Sequence, residues 1–185
     1  MDCLLFGCPI CGELDVQTVF LCAGKPSGIG EATAQKLKSL GQKVIGVDIH
    51  NADVVADLST PQGRIDAAKK AIDLSQNSID VVIACAGLAH PTATTVSVNY
   101  FGVTEFLNEL LPTIAQSKTP RVVITSSVAS IMPNSPELVE AMLSNDEAKA
   151  VEVAQALVDA GGGGGASGRG CRKSIRGTHR CGPPN

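Results

Sequence analysis

The 185-residue chain predicts an α/β fold, a doubly wound parallel sheet left incomplete at its C-terminal end. Three features carry that expectation. Short apolar runs alternate with amphipathic helical stretches, the pattern of repeated βαβ units. A glycine turn joins the first apolar run to the first helix. The alternation then stops at five consecutive glycines, residues 161–165, and no apolar periodicity follows them.

Residues 16–22 form a short apolar run suited to a buried strand, and 24–30 a tight turn. The next helix extends to about residue 40. Ile29, Thr33, Leu37 and Leu40 share one of its faces, and Gly41 is a natural stop. Residues 44–48 predict a second strand and 54–56 a short third. Thr60 and Pro61 offer an N-cap and a first helical residue, with Ile65, Ala68 and Ile72 on that helix's inner face. Residues 79–85 predict the next strand. Residues 96–111 form a longer helix, which Pro112 kinks or ends. Residues 121–125 are the last clear strand. Ser135 and Pro136 open a short helix. Asn145, with Asp146 and Glu147 in the first turn, opens another that ends near Gly161.

Bulk properties divide the chain into a leader (1–15), one folded domain (16–160) and a glycine-rich, basic, disordered tail (161–185). The tail holds Arg169, Arg172, Lys173, Arg176 and Arg180 and no acid, whereas the whole chain has 15 basic and 18 acidic residues. With one Tyr and no Trp, base-stacking surfaces are not expected, so no nucleic-acid partner is assigned. Cys22 and Cys85 fall inside apolar runs, where Cys acts as a small hydrophobe, and the seven cysteines are scattered. That usage fits a reducing compartment. No apolar run reaches membrane-spanning length and the start lacks a basic n-region. The expectation is a soluble, cytoplasmic protein with no membrane partner.

The turn "CAGKPSGIGEA" places Gly24, Gly28 and Gly30 between a strand and a helix. Gly24 permits a sharp turn, Gly28 permits backbone to approach a phosphate, and Gly30 permits the helix to pack close to the sheet. The helix N-terminus then offers free N–H groups and partial positive charge to a pyrophosphate. Ser27 and Ile29 complete the loop. Asp48 ends the second strand, 18 residues after Gly30, followed by Ile49. A carboxylate there accepts both ribose hydroxyls of an adenosine and repels a 2′-phosphate, which favours NAD over NADP. Lys25 in the loop can assist a phosphate, so that choice is not closed by sequence.

Further segments resemble the short-chain dehydrogenase/reductase family, whose Rossmann-like domain carries the spacing Gly24-x-x-x-Gly28-x-Gly30. "VDIHNADVVADLST" resembles the second strand, its acid, and the Asp57–Leu58 pair lying over the adenine. "VVIACAGLAH" resembles the Asn-Asn-Ala-Gly strand, with Cys85 in place of the second Asn, followed by Ala86 and Gly87. "SVNYFGVTE" supplies Asn99, matching the active-site helix Asn. "VVITSSVAS" supplies Ser127, matching the catalytic Ser. The branch most resembled is that of the 3α-hydroxysteroid dehydrogenases/carbonyl reductases, which has a helical insertion where "PNSPELVEAMLSNDEAKAVEVAQ" stands here. The resemblance implies hydride transfer between NAD and a secondary alcohol or carbonyl such as a steroid, with a homo-oligomer compatible. It also implies a catalytic Tyr with a Lys four residues later.

That pair is absent from these 185 residues. The single tyrosine, Tyr100, is followed four positions on by Thr104 and is expected to pack. The family's helix bearing the pair, two further strands and the substrate loop have no counterpart. The reading is a truncated or frameshifted short-chain oxidoreductase, weak or inactive as this chain, with a fifth strand left as an open edge. The alternative is a non-catalytic NAD-binding fragment. A third reading, an interaction protein held by a zinc knuckle, would draw on Cys8 and Cys11 with Cys3, Cys171, His179 or Cys181. No second Cys-x-x-Cys exists to complete a four-ligand site, so no metal is assigned. His50 and His90 are expected to be solvated loop residues.

Overall fold

The computed structural model describes residues 19–24 and 28–161. Five short runs rich in β-branched residues become parallel strands: β1 (Val19–Ala23), β2 (Lys43–Asp48), β3 (Val54–Val55), β4 (Val81–Ala84) and β5 (Arg121–Ile124). Their order in the sheet is β3-β2-β1-β4-β5. β1 therefore sits centrally, paired with β2 from Val19↔Lys43 to Ala23↔Val47 and with β4 from Phe20↔Val81 to Ala23↔Ala84. Strand order reverses at β1, which makes its C-terminal tip a topological switch point.

Helices α1 (Gly28–Ser39), α2 (Pro61–Ser75) and α4 (Gly102–Ile114) connect the strands. The period-2 alternation of the strands feeds two cores. On one face Phe20, Val44, Val81 and Ile83 bury against Ala34 and Leu37 of α1. On the other, Ala23, Ile45, Val47, Val54 and Val82 bury against Ala67, Ala68 and Ala71 of α2 and Phe106, Leu110 and Ile114 of α4. Each fully buried Phe or Leu contributes roughly 1.5–3 kcal/mol of transfer free energy. β3 is too short to pair all of β2. The carboxylate of Asp53 accepts the Gly46 N–H at 2.7 Å in place of a strand partner.

The described residues group into two compact units. The sheet unit comprises those up to Ala86 and Glu105–Thr125. The second comprises Gly87–Thr104 and the described residues from Ser126 on. It contains α3 (Thr94–Val96), a π-helical segment (Ser97–Phe101), a 3₁₀ turn (Val128–Ile131), α5 (Pro136–Leu143) and α6 (Glu147–Asp159). Its own core joins Val96, Phe101, Leu138, Ala150 and Ala154. Tyr100 packs there as expected, edge-on to Phe101 at a centroid distance of 5.1 Å.

Several sequence expectations shift. The inner face of α1 is Gly30, Ala34 and Leu37, while Ile29 is 64% exposed and Leu40 39%. Small residues let α1 approach the sheet, and that requirement outweighs the position of the larger apolar ones. The buried face of α2 is likewise Arg64, Ala67, Ala68, Ala71 and Ser75, with Ile65 and Ile72 half-buried at its margin. Pro112 does not end its helix. The ladder continues with Ala115 N–H to Leu111 O at 2.9 Å, because Phe106, Leu110 and Ile114 hold the last turns in the core. The N-cap of α6 is Asp146, whose Oδ1 accepts from Lys149 N–H, whereas Asn145 precedes it with φ +58°. The caps at Thr60 and Ser135 form as expected.

β5 is the last strand of the sheet among the described residues, and Val122, Val123 and Ile124 are 44–54% exposed. No helix of the described residues is long and apolar enough to cross a membrane.

Candidate functional site

The glycine turn begins at the tip of β1. Gly24 has φ +84°, and its N–H donates to Val47 O at 2.9 Å. A Cβ there would lie 2.8 Å from both Ala86 N and Cys85 C. Only glycine fits, for conformation and for space. Gly28, the first residue of α1, has φ +62°, yet an added Cβ would meet nothing within 4 Å. Position 28 is thus unobstructed at the N-terminus of a 12-residue helix, the end that carries partial positive charge. Gly30 is buried and Ile29 exposed. Ser27 and Lys25 lie outside the described residues.

Asp48 ends β2, one residue beyond the carbonyl that receives the Gly24 N–H. Its Oδ1 accepts the N–H of Ile49 at 2.7 Å and of His50 at 3.3 Å. These bonds orient the carboxylate while Oδ2 takes no part in them. Ile49 is 50% exposed beside it. His50 thereby gains a structural bond through its backbone that its loop position did not signal.

Asp57 follows β3. Its carboxylate takes the Ser59 N–H at 2.9 Å. The Ser59 hydroxyl first, then that backbone bond, and more weakly the Arg64 guanidinium, hold its carboxyl below the usual aspartate range against a small effect of burial. Leu58 is buried in the sheet core beside Val54 and Ala67. Cys85 N–H continues the ladder to Ala23 O at 3.1 Å, and the Thr125 hydroxyl donates to Cys85 Sγ at 3.1 Å. Cys85 and Ala86 are half-buried at the tip of β4. The sheet unit by itself thus brings Gly24, Asp48, Cys85 and Ala86 to the C-terminal ends of adjacent strands. The side-chain-free position at Gly28, at a helix N-terminus, and the carboxylate at Asp48 are of the chemistry that suits a diphosphate and a ribose.

In the second unit, Asn99 lies in the π-helical segment. Its Oδ1 accepts from Leu88 N–H at 2.7 Å and its Nδ2 donates to Leu88 O at 2.9 Å. The amide therefore pairs with the backbone of the segment after β4 as a strand would. Gly87 lies against it, since a Cβ there would stand 3.4 Å from Asn99 Oδ1. π-Helical turns within helices occur frequently at functional sites. Neither the bulge nor this pairing was legible from periodicity. Ser127 is exposed and N-caps the 3₁₀ turn, its Oγ accepting from Ala129 N–H at 3.2 Å. The cap uses a lone pair and leaves the hydroxyl hydrogen to donate. Cys3, Cys8, Cys11, Cys171, His179 and Cys181 lie outside the described residues.

A parallel sheet of order β3-β2-β1-β4-β5 with a glycine turn at the reversal and an acid at the next strand tip defines a doubly wound, dinucleotide-type α/β fold. The model of the short chain dehydrogenase family matches residues 18–139, and the chain belongs to that family. It is 35% identical over 150 residues to the 3-alpha-hydroxysteroid dehydrogenase/carbonyl reductase of Comamonas testosteroni, covering 78% of this chain and 58% of that protein. It therefore spans less than two thirds of that relative's length. The crystal structure of the 3-alpha-hydroxysteroid dehydrogenase from Pseudomonas sp. B-0831, complexed with NADH, matches with a TM-score of 0.72 and 36% identity, covering 85% of this chain and 72% of that one. The aldohexose dehydrogenase of Thermoplasma acidophilum shares the fold, with a TM-score of 0.57 at 22% identity over 76% of this chain and 57% of that one.

Proposed function

We propose that the chain carries the NAD(H)-binding part of a short-chain oxidoreductase acting on a secondary alcohol or carbonyl, in the manner of a 3α-hydroxysteroid dehydrogenase/carbonyl reductase. The observation that carries the reading is the bond from Gly24 N–H to Val47 O, which sets the glycine turn beside the strand tip bearing Asp48. The N-terminus of α1, with its partial positive charge, faces a diphosphate there. Asp48 accepts the hydroxyls of the adenosine ribose, and its charge disfavours a 2′-phosphate. NAD, when bound, supplies the hydride acceptor.

The chain's own residues supply part of the remaining chemistry. Ser127 donates its hydroxyl hydrogen to a substrate oxygen. Asn99 holds the Leu88 backbone with one Nδ2 hydrogen and one Oδ1 lone pair, and its second Nδ2 hydrogen remains to hold a water. The 185 residues contain no Tyr-x-x-x-Lys pair. A positioned proton donor is worth typically ~10²–10⁴-fold in rate, so this chain binds NAD(H) and turns over weakly or not at all. The absence of that pair favours the second reading, a non-catalytic NAD-binding protein, for these residues taken alone. A steady-state assay of purified protein with NAD and a 3α-hydroxysteroid separates the two. Turnover at the rate of a complete short-chain dehydrogenase would overturn the inactive reading.

A further inference from the structure

Arg64 is fully buried on the inner face of α2, an unusual place for a guanidinium. Three of its nitrogens have identified partners. Nε donates to Leu58 O at 2.9 Å, Nη2 to Ser59 O at 3.2 Å, and Nη1 pairs with the Glu105 carboxylate of α4. The planar fork thus reaches two successive carbonyls of one irregular segment while its charge is met by one acid. The same segment is pinned from its other side. Thr60 Oγ1 donates to Asp57 O at 3.2 Å and accepts from Gly63 N–H at 3.1 Å. Gly63 lies so close that a Cβ on it would collide with Asp57 O.

We infer that Arg64, neutralised by Glu105, is a positioning residue that fixes the backbone of Asp57, Leu58 and Ser59 and so shapes the adenosine end of the dinucleotide site. The assignment rests on the NAD(H) reading above for its ligand, but its structural half is independent of it. Residues 57–59 lie between a two-residue strand and a helix cap, so regular secondary structure contributes little to holding them. Their carbonyls turn inward and need donors. A lysine at position 64 could meet Glu105 but not two carbonyls as well, because its ammonium is compact and unforked. An apolar core residue would leave both carbonyls and the acid without partners. The Asp57 carboxylate also feels the Arg64 charge, which couples the buried fork to the exposed end of the segment.

The test uses the full chain in three forms: wild type, Arg64→Lys, and the double variant Arg64→Met with Glu105→Leu. The double variant removes both charges, and replacing a buried pair by apolar residues of similar volume is often neutral for stability. Hydrogen exchange at the Ser59 and Thr60 amides is read first. We expect at least tenfold faster exchange there in both variants, with Ile45 and Ile83 in the strands unchanged. Binding of ADP-ribose is read second by calorimetry, and we expect at least a tenfold loss of affinity in both variants. Unchanged exchange at Ser59 and Thr60 would overturn the positioning role. Faster exchange with undiminished ADP-ribose affinity would overturn its connection to the ligand. A wild type that binds no ADP-ribose would refute the dinucleotide reading itself, while the exchange result would still decide what Arg64 holds.

Discussion

The Gly24 N–H donates to the Val47 carbonyl at 2.9 Å, tying the glycine turn to the strand tip that carries Asp48. Gly24 takes this conformation because it has no side chain. Gly24→Ala would place a methyl 2.8 Å from the Ala86 nitrogen at a φ of +84°. Backbone strain of this kind costs roughly 1–3 kcal/mol. Urea unfolding should show the midpoint falling by a corresponding amount. An unchanged midpoint would mean that the turn relaxes away from β4.

Asn99 and Leu88 form a second such pair, with both ends of the amide on one residue's backbone. Asn99→Ala removes both bonds. Because Asn99 is exposed, water can replace part of the loss, so the expected cost is about 1 kcal/mol rather than the full penalty of two buried groups. The more direct reading is local. The Leu88 amide should exchange several-fold faster in the variant, and equal exchange would show that the segment is held by something else.

Asp57 gives a pH dependence. Its folded-state pKa is lowered by the Ser59 hydroxyl and backbone N–H. A lowered carboxyl contributes stability above its unfolded value, near 3.9, and that contribution is lost as pH falls through the lower folded value. Asp57→Asn should therefore flatten the decline of thermal stability below about pH 4 and leave its slope near neutrality unaltered. A variant declining as steeply as wild type would assign the acid sensitivity to other groups. The group is exposed, so the effect is small.

The outer strand predicts a solution property. Val122, Val123 and Ile124 are about half exposed on β5, and an apolar edge templates pairing between chains. Val123→Lys should reduce light scattering of concentrated protein, since a lysine on an edge strand opposes such pairing. Equal scattering would place the association surface elsewhere.

The fold was legible because glycine turns, caps and apolar runs act locally. Thr60, Ser135 and the turn position of Gly24 could each be read from a few neighbouring residues, whereas α1 already begins at Gly28, inside the stretch expected to turn. Leu37 of α1 and Ala68 of α2 face inward as expected, but the rest of each face was displaced. Their packing is governed by closeness to the sheet, so Gly30, Ala34, Ala67 and Ala71 face inward where larger residues were expected. Arg64 escaped notice because a buried arginine depends on Glu105, 41 residues away, and no local pattern announces that partnership. The π-helical segment at Asn99 was hidden for the same reason. Asn99 within it bonds to the backbone of Leu88, which only the folded chain brings near. The place of Asp48 at the end of β2, in contrast, was legible from its distance from Gly30, a spacing set by one helix and one strand.

The central claim is that the turn from Gly24 to Gly30 and the Asp48 carboxylate hold NAD(H). Calorimetric titration of NADH into the wild-type chain and into Asp48→Ala tests it most directly. Charge-assisted hydrogen bonds contribute about 1.5–3 kcal/mol each, so the account predicts one site per chain in the wild type and affinity lower by roughly tenfold to a hundredfold in the variant. Equal NADH affinity in the two proteins, or no binding by a folded wild type, would contradict it.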